Sequence, residues 1–149
     1  MEAVTTTGMD WARGTPITLG PWMLGLGEPS PETAGYWDGV ERDVLRVKHC
    51  RDCGKAHHPR RMFCDACPSA EMEWIDAAGT GTVYTYSVVH RAPDPVFQAE
   101  APYAVGLVEL DEGVYLFSRL IGDVAIGARV QVAFEPVGSH GKLPVFHIA

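Results

Sequence analysis

Residues 45–76 read LRVKHCRDCGKAHHPRRMFCDACPSAEMEWID. Two Cys-x-x-Cys pairs, Cys50/Cys53 and Cys64/Cys67, stand ten residues apart in this stretch. Two residues between cysteines let both thiolates of a tight turn face one point. A second such turn completes a tetrahedron with Zn–S near ~2.3 Å. Gly54 follows Cys53 and can take the left-handed conformation that ends such a turn. Pro68 follows Cys67 and removes one backbone N–H, so the second turn is expected to bond differently while still ligating. One Cys-x-x-Cys is equally a redox motif, but two in register point to metal. An all-thiolate tetrahedron takes zinc or, as in rubredoxin, iron; zinc is the commoner structural metal. Four thiolates leave no open coordination position, so the site is expected to fold the chain rather than catalyse. His49, His57 and His58 lie nearby and are read as non-ligands.

Upstream, Ser30-Pro31-Glu32 has the chemistry of a helix start. Trp37, Val40 and Val44 fall on one apolar stripe, and a short helix is predicted over 31–43. Residues 1–30 are rich in Gly, Pro and Thr and show no period, which reads as an extended arm. Trp11 and Pro21-Trp22-Met23-Leu24 put large apolar groups on that arm, either packed back on the chain or docking a partner.

Downstream, five β-like segments follow Gly79 without a helical pattern between them: 82–90, 104–110, 114–121, 130–137 and 145–148. Asp111-Glu112-Gly113 is a hairpin turn and 138–141 a loop. Five antiparallel strands of this size close into a small barrel, and the OB-fold is the usual five-stranded form. The predicted fold is therefore mainly β. An arm (1–30) leads to a helix plus rubredoxin-like zinc ribbon (31–77), and a five-stranded OB-fold barrel (78–149) follows.

The chain has 149 residues and a net charge of −7. Residues 42–61 hold seven basic and two acidic residues, giving +5; the remainder carries −12. Lys55, Arg60 and Arg61 flank the second cysteine pair. They either neutralise the −2 formal charge of a zinc tetrathiolate or hold an anionic phosphate ligand. No apolar run is long enough for a membrane span and no signal peptide is read, so a cytoplasmic location is expected. No nucleophile elbow, phosphate-cradling glycine loop or His-Glu-x-x-His motif is present, and no catalytic residue is assigned. Zinc ribbons and OB-folds also bind nucleic acids, and Tyr84, Tyr86, Tyr115 and Phe117 could stack bases. The acidic balance outside the ribbon argues against that alternative.

The motifs also occur in a telling order. Tyr36-Trp37-Asp38-Gly39, Cys50-Arg51-Asp52-Cys53-Gly54 and His58-Pro59-Arg60 come first; Trp74, Gly79-Thr80-Gly81-Thr82-Val83 and Tyr103 to Leu110 follow. This set, over about residues 31–149, resembles the zinc-ribbon plus OB-fold family associated with acyl-CoA metabolism, once classed as a domain of unknown function. The resemblance implies a non-catalytic accessory subunit of a thiolase or retro-aldolase complex. Such a subunit binds a thiolase-fold catalytic subunit as a hetero-oligomer. It also implies a CoA ester as ligand, with Lys55, Arg60 and Arg61 as its phosphate contacts and zinc as the structural ion. The family pattern does not explain residues 1–30.

Overall fold

The computed structural model describes residues 6–9, 16–19, 30–93, 95–136 and 142–149. Two short strands, β1 (Thr6–Met9) and β2 (Pro16–Leu19), pair antiparallel. The aperiodic sequence gave no sign of this pairing. Trp11, Pro21, Trp22, Met23, Leu24 and the loop 138–141 lie outside the described residues.

The helix is shorter than predicted. Residues 30–33 form a turn, closed by the Thr33 N–H on the Ser30 carbonyl at 3.0 Å. Helix α1 then runs Ala34–Glu41, with Thr33 rather than Ser30 at the N-cap position and no side-chain capping bond. The Ser30 hydroxyl meets Thr33 Oγ1 at 3.1 Å, so it is engaged within the turn. Val40 is buried on the expected stripe.

The ribbon is a three-stranded sheet in the order β4-β3-β5: β3 (Arg46–Cys50), β4 (Ala56–His57) and β5 (Met72–Asp76). Cross-strand pairs Lys48↔Trp74 and Lys48↔His57 fix its register. A closed barrel follows, in the order β10-β8-β7-β6-β9. Its strands are β6 (Thr80–Val89), β7 (Tyr103–Leu110), β8 (Tyr115–Ile121), β9 (Arg129–Pro136) and β10 (Lys142–Ile148). All five lie where alternation placed them, within three residues at each end. The β10–β8 pair is parallel, as closure of this barrel requires. Gly113 takes φ +85 in the β7–β8 hairpin, the positive angle its sequence position implied. A helical turn, α2 (Pro95–Gln98), lies in the β6–β7 connection, where no helical pattern is expected from sequence.

The core is continuous between the two modules. Leu45 and Val47 of the ribbon pack with Val83, Val108, Leu110, Leu116, Val130 and Phe146 of the barrel. The Ala77 N–H donates to the Leu45 carbonyl at 2.8 Å, joining the strand exits.

Candidate metal centre

The first cysteine turn leaves β3. The Gly54 N–H donates to the Cys50 carbonyl and the Cys50 N–H to the Lys55 carbonyl, both at 2.9 Å. Gly54 takes φ +80 there, a conformation that glycine enters without steric cost. The second turn works around Pro68: the Cys64 N–H donates across it to the Ser69 carbonyl at 3.0 Å. The Ala66 N–H donates to Cys64 Sγ at 3.3 Å.

These turns bring the four sulfurs within 4.8 Å of one another. Cys50 Sγ lies 3.7 Å from Cys67 Sγ, and Cys53 Sγ lies 3.5 Å from Cys64 Sγ. A disulfide would need about 2.05 Å. An ion ~2.3 Å from each corner of a tetrahedron sets sulfur pairs about 3.8 Å apart. The cysteines therefore fit a tetrahedral ion, and they are free of disulfides.

The thiols also behave as a cluster that needs a cation. The Cys53 N–H, then that of Asp52, helps draw Cys50 down to about 6. Cys67 is pushed up to about 12: the Ser69 N–H acts to lower it, but burial and the three neighbouring sulfurs prevail.

His57 was set aside as a non-ligand, and the structure gives it a supporting place. It is buried on β4, and its Nε2 lies 3.3 Å from Cys64 Sγ. An N–H donated there neutralises part of the thiolate charge. His57, Cys64 and Asp65 also form a ligand-spaced trio, but it shares Cys64 with the tetrathiolate, which is already complete. A two-residue strand carries no periodic signal, so sequence could not aim His57 inward.

Lys48 was likewise missed. It is buried, its Nζ donates to the Arg61 carbonyl at 3.0 Å, and it sits 5.1 Å above the Trp74 ring. Lys48 thus anchors the loop that carries the second cysteine pair. Burial holds its pKa below the usual lysine range.

The local positive charge is mostly paired. Arg42 meets Asp38 at 2.7 Å, Arg46 meets Asp76 at 3.1 Å, and Arg51 meets Glu73 at 3.0 Å. Lys55 meets Asp65 at 2.5 Å. Arg61 Nε donates to the Phe63 carbonyl at 2.9 Å. Among the described residues Arg60 and Arg61 have no carboxylate partner. They lie on an exposed loop whose tip also presents Met62 and Phe63. Acids brought in by α1, β5 and the second turn thus balance much of a surplus that looked local in sequence. No helix among the described residues is long and apolar enough to cross a membrane.

Comparison with known proteins places this geometry. Residues 37–73 match the ChsH2 rubredoxin-like zinc ribbon domain, and residues 74–135 the ChsH2 C-terminal OB-fold domain. A DUF35 domain-containing scaffold protein of Methanocaldococcus jannaschii is 38% identical over 106 residues, 68% of this chain and 74% of that protein. A probable enoyl-CoA hydratase alpha subunit of Thermomonospora curvata is 35% identical over 122 residues, 79% of this chain. The match spans only 38% of that longer relative. The solved Ltp2-ChsH2(DUF35) aldolase contains a chain superposing with a TM-score of 0.72 at 34% identity, covering 80% of this chain and 95% of that one. The ribbon and the barrel occur here in the same order, and the chain belongs to the DUF35 family, a rubredoxin-like zinc ribbon followed by an OB-fold domain.

Proposed function

We propose that this chain is a non-catalytic accessory subunit of a thiolase-superfamily complex, a thiolase or retro-aldolase, acting on acyl-CoA esters. The observation that carries the reading is the closed four-sulfur site. It is built to hold a fold, and the thiol–imidazole contact it contains, His57 with Cys64, is buried inside the cysteine cluster. Relatives named as scaffold, subunit and aldolase component support the same role. Zinc is the resident ion of this reading: bound by Cys50, Cys53, Cys64 and Cys67, it supplies folding energy. Free cysteines fit a reducing cytoplasm.

A CoA ester is the proposed ligand, with its phosphates on Arg60 and Arg61. Lys55, already paired with Asp65, contributes less. Arg60 can offer its whole fork to a phosphate oxygen pair. Residues 1–30 are assigned to the partner contact as a docking arm, and deleting residues 1–28 is expected to weaken the complex.

Co-expression with a thiolase-superfamily catalytic subunit, followed by size exclusion and turnover assays, tests the role. Co-elution is expected, with acyl-CoA turnover only by the complex. Turnover by the isolated chain, free of any contaminating partner, overturns it. For the ligand, the double substitution Arg60→Ala, Arg61→Ala is expected to raise the complex's KM for acyl-CoA with kcat little changed. Added salt should weaken the unmutated complex's binding more than the variant's. An unchanged CoA dependence returns the cluster to a structural role.

A further inference from the structure

Among the described residues, closure of the barrel leaves half of one strand edge unpaired. β9 pairs with β6 only at Thr80, Gly81 and Thr82. Past them, the β8–β9 loop reaches β6 once more. The Val83 N–H donates to the Ala128 carbonyl and the Gly127 N–H to the Val83 carbonyl, both at 2.9 Å. A bulge between Val83 and Thr85 follows. From there to Val89, β6 pairs with β7 alone.

The direction of each backbone group follows from the register. The Asp111 N–H donates to the Thr80 carbonyl at 3.0 Å, while Leu110 closes the hairpin with Val114 on the β8 side. Odd-numbered residues of β7 therefore turn toward β6. Thr85–Leu107, Ser87–Val105 and Val89–Tyr103 are then the hydrogen-bonded pairs. The N–H and C=O groups of Tyr86 and Val88 point the other way, and no described residue bonds them.

The side chains repeat the pattern. Tyr86 and Val88 stand opposite Gly106 and Ala104, on the core side of the sheet, yet they are 40% and 44% exposed. Tyr84 packs edge-on against Tyr115, with ring centroids 5.1 Å apart, and Phe117 is 71% exposed on the same sheet. Ile126, next to Gly127 at the start of the edge, is also exposed. The stretch 84–89, YTYSVV, has neither charge nor proline. A long, uncharged, apolar strand edge invites pairing unless something covers it.

We propose that the free edge of β6, residues 84–89, accepts an extended strand of the catalytic subunit, adding it to the barrel sheet. This deepens the accessory-subunit reading and rests on it. The occupant must offer extended backbone to satisfy Tyr86 and Val88. It must also offer small or apolar side chains to cover Tyr84, Tyr86, Val88 and Ile126.

The test uses the full chain and a thiolase-superfamily subunit found to bind it by co-elution. Amide hydrogen exchange is followed for residues 84–89 in the free chain and in the complex, with binding of Val88→Pro and Tyr86→Lys measured alongside. Val88→Pro removes an N–H that bonds no described residue, so the barrel is retained; Tyr86→Lys leaves the backbone intact and places charge at the edge. Circular dichroism and metal content verify folding. The expected result is that amides 86 and 88 exchange fast in the free chain. They slow by about tenfold or more in the complex, and both variants bind about tenfold or more weakly, Val88→Pro through a lost N–H bond and the clash of its ring with the added strand, Tyr86→Lys through a charge placed in the contact. A complex that forms while these amides stay fast and the variants bind normally overturns this edge assignment alone. Protection already present in the free chain, from its own arm or from a second copy in a dimer, overturns it too. Failure of the unmutated chain to bind any such subunit overturns the accessory reading and this assignment together.

Discussion

Residues 45–76 and residues 80–148 are both small β-sheets, yet different forces hold them. The barrel surrounds a set of covered side chains, with Val83, Val108, Leu110, Val130 and Phe146 all essentially without solvent contact. The ribbon has nothing comparable. Its only buried aliphatic side chains are Leu45 and Val47, and both belong to the barrel's core. What remains inside it is Cys50, Cys64, Lys48 and His57 with Pro59, a polar interior arranged around sulfur. A three-stranded sheet with a two-residue edge strand is too small to fold on hydrophobic burial alone. A metal held by the four cysteines would therefore replace a core in one half, while the other half packs around its own side chains. The difference bears on the proposed role: a chain whose chemistry is spent on holding shape presents surfaces and loops to a partner.

The sharpest way to break this comparison is to remove a ligand. Cys50→Ser leaves three thiolates. Structural zinc sites of this kind supply on the order of 10–16 kcal/mol of apparent binding energy, so the ribbon is expected to unfold. Insoluble protein, or soluble protein with stoichiometric metal lost and ribbon amide signals collapsed, is the expected outcome. A folded ribbon in metal-free Cys50→Ser would show that packing suffices.

The reciprocal experiment strikes the barrel. Phe146→Ala opens a cavity at the centre of the core and is expected to cost about 3–5 kcal/mol in denaturant unfolding. The metal content of the folded fraction should not change. Leu45→Ala tests the seam between the two. It should cost about 2–5 kcal/mol of stability and, unlike Phe146→Ala, should also speed metal loss to a chelator, because Leu45 enters β3 directly before the first cysteine turn. Equal metal-loss rates for the two variants would mean that the modules are coupled uniformly rather than through β3.

The smallest effect is electrostatic and belongs to the barrel rim. Arg129 grips Asp111 through both guanidinium nitrogens at 2.8 and 2.9 Å, and the Thr80 hydroxyl also donates to Asp111. These bonds, Arg129 first, hold the Asp111 carboxyl at about 2, below its usual 3.8. A depressed carboxyl stabilises the fold above its unfolded value and loses that effect as pH falls through its folded one. Asp111→Asn is therefore expected to melt slightly lower than the native chain at pH 7. The gap should close between about pH 4 and pH 2 in parallel melts. Since both groups are exposed to solvent, salt should shrink it too.

Much of this division could be read from residues alone, and for a reason. Cysteine spacing is a geometric constraint that survives in one dimension, so the ligands were legible without a fold. The five barrel strands were legible because alternation and β-branched runs record burial on one face. Other features were not. The inward turn of His57 depends on a strand of two residues, too short for any period. The charge around the ribbon looked like a basic patch because its neutralising acids, Asp38, Asp65, Glu73 and Asp76, arrive from elsewhere in the fold. The free edge of β6 depends on where β9 stops pairing, which no local pattern records. Helix α1 began late because the Ser30 hydroxyl is engaged with Thr33 in the preceding turn.

The most direct test of the account follows hydrogen exchange residue by residue while the metal is removed. Purified chain is first assayed for bound elements, then treated with a strong chelator, and finally resupplied with zinc. One equivalent of tightly held zinc is expected at the start. On chelation, amides of β3, β4 and β5 should lose protection while those of β7, β8 and the centre of β10 keep most of theirs, and zinc should restore the first set. Ribbon protection that persists in metal-free protein, or barrel protection that collapses in step with the ribbon, would contradict the claim that one half is built on an ion and the other on a core.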